Sequence, residues 1–116
     1  MINLDYTSRT PIYVQIVNEI EKYVALGILK EKEQIMSIRD LASNLGINPN
    51  TVKKAYRILE AKGIITSIST KGTFISTNVS KVKIETINNY INDIKSTMDK
   101  LYKLGLSKEE IIKKLD

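Results

Sequence analysis

Four side chains between residues 50 and 57 have the chemistry to meet an anion. Asn50, Lys53, Lys54 and Arg57 follow one another in steps of three, one and three. At about 100° per residue on an α-helix they fall within roughly a third of the circumference. Val52, Ala55, Tyr56 and Leu59 fall on the opposite side, in an i, i+3, i+4, i+7 pattern. Such a helix packs with one face and presents an amide and three cations with the other. Lysine and arginine neutralise phosphates and release counterions. Either can donate to guanine O6 and N7, and asparagine can pair bidentately with adenine. Asn50, Thr51 and Lys53, near the helix start, are the candidate base or groove contacts. Lys54 and Arg57 suit phosphates. A merely solvated face carries the same residue types, so the flanking elements decide between the two.

Those elements have readable ends. Asn48-Pro49 starts the cationic helix as cap plus proline, and Gly63 closes it. Ser37, with Asp40 three residues on, caps a shorter helix carrying Leu41, Ala42 and Leu45, which ends at Gly46. Thr10-Pro11 opens a helix with Ile12, Ile16, Ile20 and Val24 at helical spacing, and Gly27 stops it. Residues 29 to 36 are charged and irregular, with room for a very short strand near Ile35. After Gly63, residues 64–68 are β-branched and strand-like, Ser69-Thr70-Lys71-Gly72 is a turn, and 73–77 is a second strand. Two helices joined by a glycine turn and followed by a hairpin describe a winged helix-turn-helix, whose second helix enters the major groove.

From about Lys81 to Leu104 the pattern turns helical again. Ile84, Ile87, Ile91, Ile94, Met98 and Leu101 alternate in steps of three and four, a heptad seam. Gly105 breaks it, and Ser107 with Glu110 caps a last helix with Ile111, Ile112 and Leu115. The seam suits pairing between two copies of the chain; packing back on the first helix is the alternative. Six large apolar residues make a costly exposed stripe. The expected fold is mostly α with a small β wing: residues 1–77 form the winged helix-turn-helix and residues 78–116 a two-helix dimerisation arm.

Composition narrows the function. The 116 residues include no Cys and no His. That excludes thiol nucleophiles, disulfides and the usual structural zinc site, and removes the commonest general base. No enzyme, metal or cofactor is expected. The net charge is +5 and the isoelectric point about 9.4, which favours an anionic partner. No apolar run approaches the roughly 20 residues that span a bilayer. Residues 1–5 lack the basic start and apolar stretch of a signal peptide, so a cytoplasmic protein without a membrane partner is expected.

Taken together, these segments resemble the short, YtrA-like branch of the GntR family of bacterial regulators. Pro11-Ile12-Tyr13-Val14-Gln15-Ile16 is similar to its opening motif, and Ser37-Ile38-Arg39-Asp40-Leu41-Ala42 to its serine-x-arginine-x-leucine-alanine segment. Asn48-Pro49-Asn50-Thr51-Val52, Ala55-Tyr56, Leu59-Glu60 and Gly63 match its recognition helix, and Gly72-Thr73-Phe74-Ile75 its wing. The resemblance implies a homodimer on a roughly palindromic operator in double-stranded DNA. It implies that Arg39 touches DNA, which the spacing alone does not, and that Thr70, Lys71 and Gly72 form the wing tip. Ser37 and Asn48, at the helix starts, join the DNA-binding set, although Asn48 reads as a cap before it reads as a base contact.

The chain departs from the family in two places. Lys32 and Met36 stand where a glycine and a proline are usual. Ser69-Thr70-Lys71-Gly72 replaces the usual arginine-glycine-x-glycine of the wing, so close insertion of the wing into the minor groove is not expected. About 40 residues follow the wing, too few to enclose a small-molecule pocket of roughly 300 Å³ or more within one subunit. The sequence names no effector. The leading function is sequence-specific transcription regulation, most simply repression. The alternative is a winged-helix adaptor that binds protein without reading DNA. An RNA binder would want exposed aromatics for stacking, and the chain has one Phe and no Trp.

Overall fold

In a computed structural model describing residues 2–116, five helices and three strands follow the chain as α1 (Ile12–Ala25), β1 (Gln34–Ile35), α2 (Ile38–Leu45), α3 (Pro49–Ala61), β2 (Ile65–Ile68), β3 (Gly72–Ile75), α4 (Val79–Lys103) and α5 (Lys108–Leu115). They fall into two compact units that meet at Lys83 and Ile84.

The first unit is the winged helix. Ile16, Val17 and Ile20 of α1, Leu41 and Ala42 of α2, and Val52, Ala55, Tyr56 and Leu59 of α3 are buried together with Ile64, Ile65 and Ile75. The apolar spacing of α3 therefore does what it predicts: all four inward positions are buried. Val79 belongs to the same core and Val82 packs against it, so the first turn of α4 completes this unit.

Within this unit the caps hold as expected at α2 and α3. The Ser37 hydroxyl accepts from the Asp40 backbone N–H at 3.1 Å, and Asn48 Oδ1 accepts from that of Asn50 at 2.8 Å. Gly46, at φ 67°, makes the left-handed turn between α2 and α3, which a residue with a Cβ enters at a cost. At α1 the reading shifts by one residue. Pro11 occupies the cap position, and the Thr10 side chain caps nothing.

The sheet is larger than the expected hairpin. β3 lies in the middle, with β2 and the two-residue β1 antiparallel on either side. β1 pairs Gln34 with Phe74 and Ile35 with Thr73. The wing loop is Ser69-Thr70-Lys71, closed by the Lys71 N–H on the Ile68 carbonyl at 3.0 Å.

The second unit runs from Ile84 to the end of α5. Ser107 and Glu110 form the complete reciprocal capping box at the start of α5. Of the three apolar residues in that helix, Ile111 is buried while Ile112 and Leu115 are exposed.

Candidate nucleic-acid interface

The outward face of α3 carries Asn50, Lys53, Lys54 and Arg57, all exposed, with Thr51 half-buried at its edge. Six cations lie on α2, α3, the α3 cap and the wing: Arg39, Lys53, Lys54, Arg57, Lys62 and Lys71. The fold engages two of them. The Lys62 ammonium is 2.6 Å from Glu21, joining the end of α3 to α1. The Lys54 ammonium sits 4.0 Å from the centroid of the Tyr13 ring, a contact worth about 0.5–1 kcal/mol at an exposed site. Among the described residues, Arg39, Lys53, Arg57 and Lys71 have no ion pair.

The acids on these elements do not neutralise that face. Asp40 lies in the first turn of α2, where a carboxylate complements the helix dipole. Glu60 sits near the end of α3 and accepts from the Ser67 backbone N–H at 3.2 Å, holding β2 to the helix. The surface left to a partner is cationic at Lys53 and Arg57 and polar at Asn50.

Three residues outside the candidate set position it. Tyr56 is buried, and its hydroxyl donates to the Met36 carbonyl at 2.6 Å. That bond fixes the residue just before the Ser37 cap, and with it the start of α2 where Arg39 stands. Burial pushes the Tyr56 phenol up to about 12. Gln34 donates from its side-chain amide to the Lys71 carbonyl at 3.1 Å, bracing the wing tip from β1. A Cβ on Gly72 would come within 2.5 Å of that amide nitrogen. Gln15 joins α1 to the segment before it: Oε1 accepts from the Asp5 N–H at 2.8 Å, and Nε2 donates to the Asp5 and Thr10 carbonyls, each at 2.9 Å. Tyr13 and Gln15 both lie in the opening motif, so their importance was visible there but their partners were not. Nothing in the sequence marks Gln34.

Among the described residues, the two non-glycine residues with positive φ are at the departures from the family pattern. Lys32 has φ 67° and Thr70 φ 66°. Each stands where the family usually has glycine, and the backbone keeps the conformation that glycine adopts freely. The left-handed region is uncommon for a side chain with a Cβ and an outlier for a β-branched one.

The gntR model of bacterial regulatory proteins matches residues 12–75, the span from α1 through β3. The chain belongs to the gntR family. Its likeness to the YtrA-like branch is also direct. It is 42% identical over 85 residues to the transcriptional repressor YtrA of Bacillus subtilis, across 73% of this chain and 65% of that protein. The chain thus spans a little under two thirds of that relative. A transcriptional regulator from Oenococcus oeni is 37% identical, with TM-score 0.75, over 99% of this chain and 96% of the other. The DNA-binding domain of AraR in complex with operator ORE1 is 25% identical, with TM-score 0.56, over 66% of this chain and 93% of that one. GntR members are regulators, and the fold of this one is a winged helix with a helical C-terminal segment.

Among the described residues no cluster of three or more acids could hold a metal ion. No described helix is long and apolar enough to cross a membrane.

Proposed function

We propose that this chain is a sequence-specific transcription regulator, a repressor, that binds a roughly palindromic operator as a homodimer. The observation that carries the reading is the α3 face on which Lys53 and Arg57 remain unpaired beside Asn50. Asn50, Thr51 and Lys53 face the major groove. Lys54 and Arg57 take phosphates, and Lys54 leaves or shares its place on Tyr13 to do so. Ser37 and Asn48 act mainly as caps, and through them the backbone at each helix start approaches DNA. Arg39 contacts the backbone from α2. Thr70, Lys71 and Gly72 form the wing tip, where Lys71 is the only cation and meets phosphate. The operator complex of AraR is that protein's own; its shared fold supports operator binding here.

Residues 1–77 are the DNA-binding domain and residues 78–116 the dimerisation arm, whose first turn also fills the domain's core. The arm's seam supports the dimer. Ile84, Ile87, Ile91 and Ile94 are each 44–59% exposed, and Met98 and Leu101 are half-buried. An apolar stripe at heptad spacing is self-complementary across a two-fold axis. A homodimer places two copies of α3 on one duplex, which is why the operator is expected to be palindromic.

Selection of bound duplexes from a random library tests the reading. Enrichment of a site with two-fold symmetry is the expected result. Failure to enrich any duplex, together with flat salt dependence, would point to a protein-binding adaptor instead.

A further inference from the structure

The sheet of the winged helix has a second face that the DNA-binding reading uses only at its wing-tip end. Along β2 and β3, Ile65 and Ile75 are buried in the core. Thr66 pairs with Phe74 and Ile68 with Gly72, so these alternate residues share the other face. A groove of about 450 Å³ lies over it, within the range of small-molecule sites. Lys32, Thr66, Ile68, Lys71, Phe74 and Ser76 are among its lining, with Ile68 44% exposed and Phe74 half-buried.

The chemistry of this lining is one-sided. Ile68 and Phe74 supply an apolar surface, Lys32 and Lys71 supply two cations, and no acid lines the groove. The Thr66 and Ser76 hydroxyls are hydrogen-bonded to each other at 2.8 Å. One O–H proton is consumed in that bond, and the other hydroxyl's proton is left for a further acceptor. Lys32 is anchored there by its N–H on the Ile75 carbonyl at 2.9 Å, in the left-handed conformation. A glycine at that position would offer the groove no cation.

We infer that this groove binds a small organic anion with an apolar body, its ring or branched chain on Ile68 and Phe74 and its acid group between Lys32 and Lys71. Lys71 also belongs to the proposed wing tip. An anion that occupies Lys71 withdraws it from phosphate, so the ligand opposes DNA binding. This coupling rests on the DNA-binding reading; occupancy of the groove does not.

The test separates the two. The full chain, labelled with ¹⁵N, is titrated without DNA against 3-phenylpropionate, against 4-methylpentanoate, and against 3-phenylpropionamide as the uncharged counterpart. Saturable shifts are expected at the amides of Thr66, Ile68, Phe74 and Ser76, with the amide probe binding at least about tenfold more weakly. Lys32→Gly keeps the backbone conformation and removes one cation, so it should weaken both acids several-fold. Ile68→Ser should do the same by removing exposed apolar surface. No saturable shift with either acid overturns the site, as does equal binding of acid and amide, or shifts centred elsewhere. Shifts of the same amides on dilution of the protein alone would show that a second copy covers this face, which also overturns it. In a separate duplex titration, acid at a concentration that half-saturates the parent chain should lower its affinity, and lower that of Lys32→Gly by less. Binding without that loss overturns the coupling alone.

Discussion

The Tyr56 hydroxyl donates to the Met36 carbonyl at 2.6 Å, across 20 residues of sequence. This bond ties the inward face of α3 to the residue before the α2 cap. It lets the two helices of the DNA-binding motif share one frame. Tyr56→Phe keeps the ring in the core and deletes the bond. A net loss of about 0.5–1.5 kcal/mol is expected, read as a lower urea midpoint with unchanged slope. Because Met36 is exposed, water can replace the lost donor, which favours the lower end of that range. A midpoint equal to that of the parent chain would show that the bond does not stabilise the fold.

The same residue predicts a pH dependence. A free tyrosine ionises near 10, and burial pushes Tyr56 up to about 12. The folded state therefore favours the neutral phenol. The stability this supplies is whole below about pH 10 and is lost as the pH rises toward 12. Tyrosinate absorbance should show a component near 12 that disappears in Tyr56→Phe. Tyr23 is also raised, first by desolvation and then by Glu19, and its late titration should survive in the variant.

Lys32→Gly and Thr70→Gly should each raise stability. The left-handed conformation costs a residue with a Cβ about 1–2 kcal/mol, against about 0.5–1 kcal/mol for the extra freedom of glycine in the unfolded chain. Net gains of a few tenths to about 1 kcal/mol are expected, larger for β-branched Thr70. Gly72→Ala should do the reverse, since φ is 125° and the new Cβ would meet the Gln34 amide. Thermal unfolding of the three variants checks the signs, and destabilisation by both glycine substitutions would refute the strain.

Much of this was legible beforehand, for a physical reason. Periodicity and caps are local, so α2, α3, α5 and the inward set Val52, Ala55, Tyr56 and Leu59 could be read from spacing. β1 could be placed but not paired, because two residues carry no alternation and their partners lie at 73–74. The candidate cations could be named but not ranked. Whether a lysine is free depends on long-range neighbours: Lys54 meets Tyr13 and Lys62 meets Glu21 across 41 residues each. The glycine departures were visible as mismatches, yet only the backbone angles show that the conformation persisted without the glycine.

The seam on α4 predicts an oligomeric state. Ile91→Lys combined with Ile94→Lys would place like charges at two central positions, where burial without partners is strongly unfavourable. Sedimentation should show a dimer for the parent chain and a monomer for the double variant, with the winged helix still folded by amide spectra. An unchanged dimer would move the interface elsewhere.

If the outward face of α3 reads sequence, Asn50 is where the reading separates from plain attraction to phosphate, because it carries no charge. Its side chain is exposed, and its backbone N–H is already held by Asn48. Asn50→Ala is titrated beside Arg39→Ala and Lys54→Ala, against the selected operator and a random duplex, at two salt concentrations. The two cation variants should weaken both duplexes by similar factors and reduce the salt slope. Asn50→Ala should lose about 1–3 kcal/mol on the operator and little on random DNA, with the slope unchanged. Equal losses on both duplexes, or none on either, would contradict sequence reading by this residue. If Arg39→Ala alone showed the selective loss, the start of α2 rather than α3 would carry the code.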